Sequence, residues 1–168
     1  MTGLSYPEYP FAELFAPILP ELDALYWDAE FQSTPYRWEW LFENREWLEA
    51  IEIKVESSYP EVPALLWRPG ALSILAPHLV FDEWSYLTGF SATEDGMKSI
   101  IRETSRSNFV REDHLMLIKK LQGIRIVQVD GWWEVYTPRQ EWLERLNAHR
   151  PGRWVSSDNY GCNYPARD

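Results

Sequence analysis

The chain has 168 residues, a single cysteine and a formal net charge of −10, from 26 acidic and 16 basic side chains. A domain of that length can bury a core without disulfide staples, and one thiol cannot form an internal disulfide. The excess acid repels phosphate backbones, which argues against nucleic-acid binding through a basic face, and no uncharged run approaches the roughly 18 apolar residues of a membrane helix.

The N-terminus, Met1-Thr2-Gly3-Leu4-Ser5-Tyr6-Pro7, lacks a basic region and a long apolar run, so it does not read as a secretory leader. Together with the lone Cys162, this sets the expectation of a reducing, cytoplasmic setting. Residues 1–36 read as irregular, because Pro7, Pro10, Pro17, Pro20 and Pro35 leave room only for short helical turns. Their aromatic side chains, from Tyr6 to Tyr36, give the segment an apolar surface that wraps over a core built by later elements.

The first regular element is predicted from about Trp38. Trp40, Leu41, Trp47, Leu48 and Ile51 recur at helical spacing, while Glu39, Glu43 and Glu46 fall on another face, followed by Glu49. From Ile51 the period switches to two, with Ile53 and Val55 on one side and Glu52, Lys54 and Glu56 on the other, the pattern of a half-solvated strand over 51–56. Two apolar runs, 64–67 and 71–75, joined through Arg68-Pro69-Gly70, predict a hairpin near 64–75 with a type II turn. Val80, Trp84 and Leu87 keep helical spacing with Gly89 as a cap, although Val80, Phe81, Trp84 and Tyr86 also suit a strand.

Met97, Ile100, Ile101 and Thr104 mark one helix face; Leu115, Ile118 and Leu121 mark another, stopped by Gly123, with Lys119 and Lys120 near its negative end. Residues 124–129, Asp130-Gly131 and 132–136 then read as strand, type I′ turn and strand. Thr137-Pro138-Arg139-Gln140 has the form of a capping box opening a helix with Trp142, Leu143 and Leu146 on one face. Residues 153–168 form a C-terminal tail with little periodicity. The expected fold is α+β over a single domain, 1–168, with a small antiparallel sheet from the 51–56, 64–75 and 124–136 regions packed with three to five helices.

Chemistry is weakly encoded. His78, His114 and His149 stand far apart in no metal-ligand spacing, and no phosphate-binding or nucleophile motif occurs, so neither metal nor cofactor is expected. His149 reads as a cation at a helix C-terminus, and His114 beside Glu112 and Asp113 as a solvated position. Cys162 lacks a base, and pairs such as Asp82-Glu83 and Glu94-Asp95 arise easily in so acidic a chain. No catalytic residue is assigned.

Ten tryptophans therefore point toward binding rather than reaction. Residues 1–100 carry 17 acidic and 5 basic side chains, net −12, whereas 101–168 carry 9 and 11, net +2. The sequence favours a non-enzymatic acidic module, an inhibitor or neutraliser of the immunity-protein kind, that docks on a basic partner. Its expected contact residues are Glu39, Glu43, Glu46, Glu49, Trp27 and Trp38. The alternatives are a domain that binds or hydrolyses a sugar or other small molecule in a Trp-lined pocket, and a self-associating structural subunit. For the acidic helix face, the plain alternative is a solvated exterior.

Overall fold

The computed structural model describes residues 11–27, 35–56, 64–79, 85–93, 95–96, 99, 116, 118–129, 132–149, 155–157 and 161–164. Its strands are β1 (Ala24–Trp27), β2 (Lys54–Glu56), β3 (Ala64–Trp67), β4 (Ser85–Phe90), β5 (Ile124–Val129), β6 (Trp132–Tyr136), β7 (Val155–Ser157) and β8 (Gly161–Tyr164). Helices are α1 (Phe11–Leu14), α2 (Pro35–Ala50), α3 (Ala71–Leu75) and α4 (Gln140–His149), with 3-10 turns at Leu19–Glu21 and Ala76–His78. The strands form one eight-stranded sheet in the order β2-β3-β1-β4-β5-β6-β8-β7, every neighbouring pair antiparallel. The architecture is α+β, as the sequence implies, with a larger sheet than expected.

Because side chains alternate along a strand, the register divides the sheet into two faces. Leu25, Leu66, Leu87, Ile124, Ile126, Trp133 and Val135 share one face and one buried cluster with Leu14, Leu72 and Leu75, Leu48 of α2, and Trp142 and Leu146 of α4. Around Trp133, the rings of Phe11 and Phe15 pack with centroids at 5.5 Å in each case, and with each other at 4.9 Å. Such aromatic pairs contribute about 0.5–1.5 kcal/mol each beyond their burial. The opposite face carries Ala24, Trp67, Thr88, Phe90, Arg125 and Val127, also buried but outside that cluster.

Three expectations are corrected. The run 71–75 is helix α3, not the second arm of a hairpin. Gly70 takes a left-handed φ of 65°, Ala71 N–H bonds the Arg68 carbonyl, and the turn reverses the chain into a helix that buries Ala71, Leu72 and Leu75 while Ser73 stays exposed. Ala and Leu favour helix, and a short apolar run has no period to decide otherwise. Second, of the two readings of this region the strand holds: Ser85–Phe90 is β4, not a helix capped by Gly89. Gly89 lies mid-sheet, where an added Cβ would stand 3.2 and 3.3 Å from the Leu22 methyl carbons. Third, the segment 1–36 is not irregular throughout: Ala24–Trp27 is an interior strand between β3 and β4. Four consecutive apolar residues lack alternation because both faces of an interior strand are buried.

The hairpin β5–β6 has the expected register, with Val129 opposite Trp132 across a two-residue connection. The strand over 51–56 shortens to 54–56, because α2 ends in a Schellman motif: Ile53 N–H bonds the Leu48 carbonyl at 2.8 Å, Glu52 N–H bonds that of Glu49 at 3.0 Å, and Glu52 adopts φ 65°. The helical stretch 118–121 also stops one residue before the predicted glycine. Gln122 takes the left-handed φ of 52°, and Gly123 N–H bonds the Ile118 carbonyl. Gly123 is needed for space, since a Cβ there would lie 2.6 Å from two carbons of the Phe90 ring. The predicted face at 97–104 lies outside the described residues, apart from helical Ser99.

Two polar devices lock the N-terminal segment to the body. The Asp23 carboxylate accepts the Gly70 N–H at 2.7 Å and the Ala92 N–H at 3.0 Å, tying the loops after β3 and β4 to the start of β1. Glu21 receives the indole N–H of fully buried Trp142 at 2.9 Å, together with Arg139 at 3.4 Å and Arg145. Arg139 also lies over the Trp142 ring, 3.9 Å from its centroid. Hydrogen bonds from Arg145 and then Trp142 hold the Glu21 carboxyl below its ordinary value, against the opposing effect of burial. The predicted capping box is half formed: the Thr137 hydroxyl accepts the Arg139 N–H at 3.1 Å and donates to the Gly123 carbonyl at 2.8 Å.

Candidate functional site

Pro35 is the first residue of α2, a position where its missing N–H is not needed. Leu48 is buried and Asn44, Trp47 and Ile51 are half-buried, so the helix turns this side inward. Glu43, Glu46 and Glu49 are exposed on the other side, and exposed Glu52 continues them beyond the helix end. Arg45, also exposed, pairs with Glu49 at 3.2 Å, one turn apart. Exposed pairs of this kind contribute about 0.3–0.5 kcal/mol and leave most of the acidic charge uncompensated.

The placement of this charge works against the helix. Carboxylates near a C-terminus face the negative end of the helix dipole. Glu46 and Glu49 stand there with no basic residue in the last turn. One cation does reach the end from elsewhere, since Arg68 donates to the Ile51 carbonyl. The half-buried Trp47 ring packs edge to face with His78, with centroids 4.8 Å apart and planes at 66°. The indole of this pair packs against the core, on the side of α2 away from the exposed carboxylates.

Of the residues singled out in the sequence, Glu43, Glu46 and Glu49 come together here. Glu39 and Trp38 belong to the same helix and Trp27 to β1, where its backbone pairs with Ala64; their side chains lie outside the described residues. Trp47, expected in the core, is only half-buried, and neither its His78 partner nor the continuation of the stripe to Glu52 was foreseen. A left-handed C′ position just past an acidic helix leaves no composition signal when the residue is not glycine. His149 sits at the C-terminus of α4 as expected and donates from Nε2 to the Glu13 carbonyl at 3.0 Å. His114, Asp82, Glu83 and Glu94 lie outside the described residues, and Cys162 is placed in β8 by its backbone alone.

Among the described residues, no group of three or more His, Cys, Asp or Glu side chains could hold a metal ion, and no helix is long and apolar enough to cross a membrane. No protein-family model, no curated protein and no solved structure matches the chain.

Proposed function

We propose that the chain is a cytoplasmic, non-enzymatic protein-binding module, an inhibitor or neutraliser that docks on a basic partner through the outer side of α2. Glu43, Glu46 and Glu49 supply the steering charge, with Glu39 and Trp38 on the same helix. The supporting observation is that exposed carboxylates crowd the C-terminal turns of α2, where the helix dipole disfavours them. Rim charges of this sort act chiefly on the association rate.

The test replaces all three glutamates by lysine (Glu43→Lys, Glu46→Lys, Glu49→Lys). A basic protein captured from native extract by the wild-type chain should associate with the variant about tenfold or more slowly at low salt, and with a flatter salt dependence. The melting temperature should hold or rise, because lysines suit a helix C-terminus. Unchanged association rates would reject the reading.

A further inference from the structure

No further inference is drawn: the strongest candidate, the side-chain cluster of Thr88 and Trp67 buried in the sheet face away from α2, whose hydroxyl and indole N–H have no hydrogen-bond partner among the described residues, carries nothing because no cavity among those residues opens beside it to admit a ligand.

Discussion

Replacing Glu21 by glutamine isolates the electrostatic part of the lock between the N-terminal segment and α4. Glutamine keeps the shape and an oxygen able to accept the Trp142 N–H, so the main loss is the negative charge facing Arg139 and Arg145. Both arginine side chains are partly exposed, at 24% and 38%, and the Glu21 side chain is 36% exposed, so solvent screens the attraction. After that discount the cost is about 1 kcal/mol, or about 2–4 °C in melting temperature for a chain this long. The sign with pH follows from the lowered carboxyl of the folded state. Its contribution is full above the unfolded value near 4.5 and fades as pH falls through the lower folded value. Urea unfolding read by tryptophan fluorescence should therefore show wild type and Glu21→Gln separated at about pH 7 and converging at about pH 3. An equal gap at both pH values, or no gap at about pH 7, would refute the assignment.

Gly123→Ala should destabilise by about 1–3 kcal/mol in thermal melts, since the new methyl meets the Phe90 ring and cannot be accommodated without shifting β4 or the ring. Glu52→Gly should instead stabilise by about 0.5–1 kcal/mol, because glycine takes the left-handed C′ position without the Cβ clash; a loss of stability in the same assay would contradict the Schellman geometry.

What could be read from the sequence depended on how local the decisive interaction was. The β5–β6 hairpin and α4 carry their own instructions, an Asp-Gly turn and a Thr-Pro start, and both formed where expected. The acidic side of α2 was equally legible from residue spacing, and Glu43, Glu46 and Glu49 are exposed as a solvated or docking face requires. β1 and α3 are not legible from local pattern, and β4 only as one of two options, because their conformations are set at a distance. Ala24–Trp27 becomes a strand only between β3 and β4, and Leu72 N–H finds its partner in the Leu22 carbonyl, 50 positions earlier. Thr88 and Arg125 are ordinary strand residues until the register sets them side by side.

The interior position of β1 has a consequence for biosynthesis. The strand is complete once residue 27 has been made, yet its neighbours lie at 64–67 and 85–90. At about 5–20 residues per second, the ribosome needs about 3–12 s to add the intervening roughly 60 residues. Until the first of these neighbours, 64–67, has been made, the apolar run has no strand to pair with, a natural handle for a chaperone and a hazard without one. A shortened chain starting after Trp27 would not lose an ornament. It would leave β3 and β4 facing each other across a missing strand, and the sheet would be opened through its middle rather than trimmed at its edge.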